Sequence, residues 1–278
     1  MNAWEMVELL RDYVAEGTAT HWSDLNLVRR LNAVQRAMAT RVLLAEGDWL
    51  VKSQAVTPVA SVVTLPADCV KPVRLEETST GEEIPLRGTV RERSVGRLVG
   101  SGLTSGFLSA YRVGGTLVIN ADSYTEGCTL YYQQRVPDLL TGTGDTGSGS
   151  NTVVFASAVY PRRTDDYYNG VYLEVVSGTG VGTIAEITDY VASTRAATVA
   201  GTFGTDSVYG TISVLPEEAH AVVVLEAAML ALVKPGSTVD ENAFSMVRAL
   251  HKAANDELKA LLASGVSASS YVRIAGVD

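Results

Sequence analysis

The fifteen residues from Ala219 to Val233, AHAVVVLEAAMLALV, constrain the fold more than any other stretch of this chain. They are apolar on nearly every side of a helix, so that helix must be surrounded by other elements. The segment is too short to span a bilayer and contains Glu226, so it reads as the centre of a helical bundle. Pro216-Glu217-Glu218 opens it, with proline at the first position and acids in the first turn. Lys234-Pro235-Gly236 breaks it. Thr238-Val239-Asp240-Glu241 then fits a capping box. Ala243, Val247, Leu250, Ala254, Leu258 and Leu261 mark a long amphipathic helix ending at Gly265.

The helices that surround it lie at the other end of the chain. Trp4, Val7, Leu10 and Val14 recur at three- and four-residue steps and predict one helix that ends at Glu16-Gly17. Ser23 is a credible N-cap, with Asp24 in the first turn. Leu27, Leu31, Val34, Met38 and Val42 then form a stripe, with Arg29, Arg30, Gln35, Arg36 and Arg41 outside it. This second helix runs to Glu46 and stops at Gly47. Two helix pairs, one from each end, predict a four-helix bundle.

Between these pairs the text turns β. Val59 to Leu65, Thr116 to Ile119 and Cys128 to Tyr132 are short, β-branched or aromatic, and bounded by Gly, Pro and Asp. Thr141 to Ser150, TGTGDTGSGS, has no apolar side chain and reads as a linker. Residues 151–214 form a second β block, expected to be a small barrel or sandwich inserted into the first domain. The fold class is therefore α+β. The expected organisation is an adaptor-like core from 1–140 and 215–265, a linker at 141–150, an inserted domain at 151–214 and a tail at 266–278.

With 278 residues, 46% hydrophobic and 19% charged, the chain can bury a sizeable core. Its net charge of −9 argues against a protein that wraps nucleic acid, although it suits a wall past which DNA slides. The N-terminus has no basic region followed by an apolar run, so no signal peptide is expected. Cys69 and Cys128 have no metal spacing and read as two buried free thiols, a disulfide being the alternative.

Val175 to Thr183, VVSGTGVGT, resembles a phosphate loop, but Thr183 stands where a third glycine belongs, and a strand pattern follows instead of a helix. No lysine lies between Lys71 and Lys234, so no P-loop is possible there. The stretch reads as a hairpin. His220 and His251 fall inside helices, far from any G-x-S-x-G elbow, and His21 stands alone. Asp165-Asp166 and Glu82-Glu83 are adjacent pairs that point to opposite faces on a strand. No catalytic residue, cofactor or metal is expected.

Several segments taken in order are similar to the head-to-tail adaptor, or head-completion, proteins of tailed bacteriophages. They are Leu31-Asn32-Ala33-Val34-Gln35-Arg36, Gly47-Asp48-Trp49-Leu50, Val63-Thr64-Leu65-Pro66-Ala67-Asp68, Ile84-Pro85-Leu86 and Tyr111-Arg112-Val113. Tyr131 to Leu139, YYQQRVPDL, and Leu215 to His220 complete the series. The block from Asp166-Tyr167-Tyr168-Asn169-Gly170 to Ser193-Thr194-Arg195 resembles a second recurring phage element, and the smaller adaptors lack this insertion.

That resemblance implies a structural protein of the virion neck, made in the host cytoplasm, and not an enzyme. It implies a twelve-fold ring of copies below the portal protein, followed by the next tail or nozzle protein, with DNA passing through the channel and no membrane contact. It further implies that the C-terminal tail grips the portal, with Tyr271, Val272, Arg273 and Ile274 adding a strand to a partner's sheet edge. A frayed tail is the alternative. For the inserted block the alternatives are an outward decoration or a glycan-binding module using Tyr160, Tyr167, Tyr168 and Tyr172. A virion hydrolase is the remaining rival.

Overall fold

The structure, a computed structural model, describes residues 1–15, 22–44, 48–87, 108–121, 123–233 and 241–263. The chain divides into two compact units, one of Met1–Trp49 with Val136–Asp278 and one of Leu50–Arg135. Residues 151–214 thus share a unit with the helices, while 50–135, expected within the helical core, forms a unit of its own. The reason is visible at Asn2, whose side chain donates to Glu174 Oε2 at 2.7 Å and whose backbone bridges Ile212.

Helix α1 spans Ala3–Tyr13 and opens with a reciprocal cap between Asn2 and Glu5. The Glu5 amide donates to Asn2 Oδ1 at 2.9 Å, and the Asn2 amide donates to Glu5 Oε2 at 3.0 Å. Ala3, Met6, Val7 and Leu10 are its buried apolar residues. Trp4, expected on the buried stripe, is 38% exposed. The Asn2–Ile212 bridge sets the helix off with Ala3 toward the sheet, which turns the indole outward. Helix α2 spans Asp24–Leu44, and the Asn26 amide donates to the Ser23 hydroxyl, as the cap predicts. Leu27, Leu31, Val34, Met38 and Val42 are all buried. Gln35, expected outside that stripe, is buried as well, for a reason that belongs to the site below.

The unit Leu50–Arg135 is built from β1 (Val51–Val56), β2 (Val62–Thr64), β3 (Cys69–Glu77), β4 (Glu83–Ile84), β5 (Leu86–Arg87), β6 (Ala110–Val113), β7 (Thr116–Ile119) and β8 (Cys128–Gln134). These form two four-stranded sheets, β1-β8-β3-β4 and β2-β7-β6-β5. Both sheets contribute to one buried cluster, including Val63, Leu75, Leu117, Ile119, Leu130 and Tyr132. The strand expected from Val59 begins only at Val62, because Ala60 and Ser61 both take positive φ in a turn. Asp68, in the family-like Leu65-Pro66-Ala67-Asp68 stretch, accepts the Tyr132 hydroxyl at 3.0 Å and lies 3.5 Å from Lys52 Nζ. Cys69 and Cys128 are free and buried near opposite ends of the β3–β8 ladder. Burial raises both thiol pKa values.

The second β assembly comprises β9 (Thr141–Thr143), β10 (Ser150–Val154), β11 (Tyr172–Ser177), β12 (Ile184–Val191), β13 (Ala196–Thr202) and β14 (Val208–Thr211). Its order is β10-β13-β12-β11-β14-β9, antiparallel throughout. The sheet curls until its two edges meet, where Gly144 bridges Phe155 and the Asp145 amide donates to the Val154 carbonyl. Residues 141–150, expected to be a linker, therefore supply a strand and the closing turn. Their glycine content has a packing cause: a Cβ on Gly144 would stand 2.3 Å from the Gly204 carbonyl oxygen.

Helix α3 spans Glu217–Leu232 and packs against α1, α2 and α4 (Glu241–Ala263). It buries Ala219, His220, Val222, Val223, Val224, Leu225, Ala227, Ala228 and Ala231, while Leu230 is 48% exposed. Pro216 stands at its N-cap, one residue earlier than expected. On α4, Val247 and Leu258 are buried, but Leu250 of the expected stripe is 39% exposed. The expected breaker at 234–236, Thr238 of the capping box and Gly265 lie outside the described residues. The fold is α+β, with a four-helix bundle drawn from both ends of the chain.

Candidate functional site

A cleft of about 1220 Å³ opens beside α2. Asn32 lines it, and Gln35, which the helical stripe places outside the buried face, lies beside it on α2. Asn32 donates to the Leu139 carbonyl at 3.0 Å and accepts the Leu139 amide at 2.7 Å. Gln35 donates to the Pro137 carbonyl at 2.8 Å and accepts the Ser213 hydroxyl at 2.8 Å. Both side chains thus act as a strand edge for residues 137–139, which is why a helix can bury them.

Asp138 is held on that segment with its side chain 13% exposed. Two guanidinium groups converge on it, Arg36 from α2 at 3.1 Å and Arg162 at 2.6 Å. The hydrogen bond to Asp138 raises the Arg162 pKa above its already high value. Arg162 belongs to the loop that follows β10, and two phenols of the barrel core fasten it. Its amide donates to the Tyr168 hydroxyl at 3.1 Å, and its carbonyl accepts the Tyr190 hydroxyl at 2.7 Å. Burial raises both phenols, Tyr190 to about 12, so each stays protonated at neutral pH.

Three more arginines line the cleft. Arg29 lies over the ring of Tyr160 at 5.3 Å, and that ring is 65% exposed. Arg195 donates to Asp145 at 3.1 Å and to the Phe155 carbonyl at 2.8 Å. Arg163 has no ion-pair partner among the described residues. Five arginines thus stand against only two lining carboxylates, Asp138 and Asp165, on a chain whose net charge is −9. The described lining contains no histidine and no cysteine. The arrangement suits recognition of carboxylate or phosphate oxygens by forked guanidinium donors.

The remaining candidates take other roles. The glycine-rich stretch is the β11–β12 turn, as its strand pattern predicts. Its amides at Val181, Gly182 and Thr183 bond within the turn, and the Thr179 amide donates to Asp206 Oδ2 at 3.1 Å. A carboxylate already held at that loop, its pKa lowered by the bond to Thr179, opposes a phosphate there. A Cβ at Gly178 or Gly180 would meet backbone oxygens of Asp206 or Thr202 at 2.1 and 2.3 Å, so neighbouring chain already fills the space. Of the four tyrosines weighed for glycans, Tyr168 is fully buried, packing edge-on to Phe155 and Tyr190. Tyr167 is half-buried against it, leaving Tyr160 and Tyr172 exposed and in separate elements.

His220 is buried between the Met1 ammonium at 3.1 Å and the Leu215 carbonyl at 2.9 Å. Burial, with the ammonium charge, lowers its pKa to about 4. His251 lies 3.6 Å from Glu226, which also pairs with Arg41 through both oxygens at 2.9 Å. Asp165 accepts the Ala192 amide, and Asp166 caps Asn169. His21 and the tail residues Tyr271, Val272, Arg273 and Ile274 lie outside the described residues. No helix among the described residues is long and apolar enough to cross a membrane.

Residues 1–174 match the family described as SU10 adaptor protein. The chain belongs to that family. It is therefore a phage structural adaptor of the head–tail type. The matched stretch includes both N-terminal helices, the whole Leu50–Arg135 unit and the second β assembly as far as β11. Arg29, Arg36, Arg162 and Arg163 of the cleft fall inside it, and Arg195 falls beyond it. No curated protein matches the adaptor.

Proposed function

We propose that the adaptor assembles as a ring on the portal, joins the phage head to the tail and extends the DNA channel. The observation that carries this reading is the family match across residues 1–174, which spans the helix pair, the sandwich unit and three strands of the barrel. The net charge of −9 supports it, because a channel wall must let a polyanion slide past without holding it. The sparse burial of α4, limited among its apolar side chains to Val247 and Leu258, leaves a helix face available to a neighbouring copy.

In this proposal twelve copies form the ring and the next tail or nozzle protein docks below it. The tail from residue 266, with Tyr271 to Ile274, adds a strand to the portal. Residues 151–214 decorate the virion neck. The test is to mix the adaptor with portal rings from the same particle and image the mixture by electron microscopy. A second ring on the portal's narrow end is the expected result. Bare portals beside folded adaptor would reject the proposal. Deleting residues 267–278 should abolish docking, and docking by the truncated chain would remove the tail from the account.

A further inference from the structure

We infer that the arginine cleft receives the acidic outer face of α1 from a neighbouring copy, an inference that rests on the ring reading. On α1, Trp4, Glu5, Glu8 and Asp12 fall within an arc of about 100° at the helical repeat. All four are exposed. Glu5 spends one oxygen on the Asn2 amide, whereas the carboxylates of Glu8 and Asp12 have no partner among the described residues. The strip therefore presents carboxylates and one indole to solvent, and no ion pair among the described residues neutralises Glu8 or Asp12.

The cleft carries the complementary set. Arg36 and Arg162 share a single carboxylate, Arg163 has none, and Arg29 is held only over Tyr160. Exposed Tyr160 beside exposed arginines matches exposed Trp4 beside exposed acids, the residue types that dominate protein interfaces. A volume of about 1220 Å³ exceeds the range of about 300–1,000 Å³ usual for small-molecule pockets, so a protein element suits it better. A nucleic acid would meet the same arginines, but the chain's net −9 would repel the rest of its length. The cleft and the α1 strip share no residue. Contact between them is heterologous, and a heterologous contact repeated around an axis generates a ring.

The test is charge reversal, read by sedimentation of the free adaptor and by ring formation on portals in the microscope. Arg29→Glu with Arg163→Glu should weaken assembly about tenfold or more and flatten its dependence on salt. Glu8→Arg with Asp12→Arg should do the same. The chain carrying all four changes has both surfaces reversed and should regain assembly. Melting temperatures of all variants should stay near that of the wild type, because every altered side chain is exposed.

Assembly of the Arg29→Glu, Arg163→Glu variant at wild-type concentration and salt would overturn the inference. So would failure of the folded fourfold variant to assemble. Loss of duplex oligonucleotide binding in the cleft variant, with assembly intact, would assign the cleft to a polyanion and also overturn it. A wild-type adaptor that never forms rings would reject the ring reading itself, and the inference with it.

Discussion

Helices α3 and α4 follow one another in the chain, yet they meet the rest of the protein in opposite ways. Helix α3 buries Val222, Val223, Val224 and Leu225 in succession, so no side of that turn faces water. Its one central acid, Glu226, escapes to an edge and pairs with both terminal nitrogens of Arg41. Helix α4 is longer but leaves Met246 and Leu250 exposed. Continuous burial marks the element that holds the fold. One-sided burial marks an element with a surface left over for assembly.

Substitutions can break that contrast. Val223→Asp places an unpaired charge at the centre of the bundle and should cost more than about 4 kcal/mol. Chemical denaturation would read this as a chain unfolded in buffer, and a folded variant would mean that α3 is not enclosed. Leu225→Ala should cost about 2–5 kcal/mol through the cavity it leaves.

A second effect on α3 is set by pH. His220 titrates near 6.5 when unfolded and near 4 in the folded protein, so the unfolded chain binds more protons between those values. Stability is then full above about pH 6.5 and falls as pH drops toward 4, by up to about 3 kcal/mol. His220→Gln should flatten that part of the curve. An unchanged slope would place the titration elsewhere.

The bundle's contact with residues 137–139 comes next. Asn32→Ala leaves the Leu139 amide and carbonyl buried without partners, at about 2–3 kcal/mol. A loss below about 0.5 kcal/mol would mean that water replaces the amide. Leu250→Asp on α4 should change stability least, by no more than about 0.5 kcal/mol, while reducing ring formation. Equal losses from Leu250→Asp and Leu225→Ala would erase the distinction between the two helices.

These regions also differ in how readable they were. The apolar faces of α2 and α3 obey a helical period, and Ser23 is a local signal, so four helices follow from spacing alone. The glycine-rich turn was legible because the residues after it alternate. The roles of Asn32 and Gln35 were not: Asn32 carries no local signal beyond its place in the family-like segment, and Gln35, beside the helical stripe, reads as solvent-facing unless the partner strand is known. Their partner lies more than 100 residues away in sequence. The cleft was missed for the same reason: Arg29 and Arg36 come from α2, whereas Arg162, Arg163 and Arg195 come from barrel loops. Residues 141–150 misled because glycines demanded by close backbone approach look like glycines of a flexible tether. Trp4 misled because periodicity finds a face without saying which edge of that face is covered.

The Asn2 tether has a consequence for biosynthesis. Helix α1 precedes Glu174, Ile212 and the α3 segment in the chain, and although Arg11 pairs with Asp24 at the start of α2, the tether at Asn2 and the contact with α3 wait for segments made far later. Residues 50–135 find their sheet partners among themselves, so they can fold during translation while α1 waits. The acidic strip of α1 is then set in place only once α3 has been made, which delays any self-assembly through that strip until that point of synthesis.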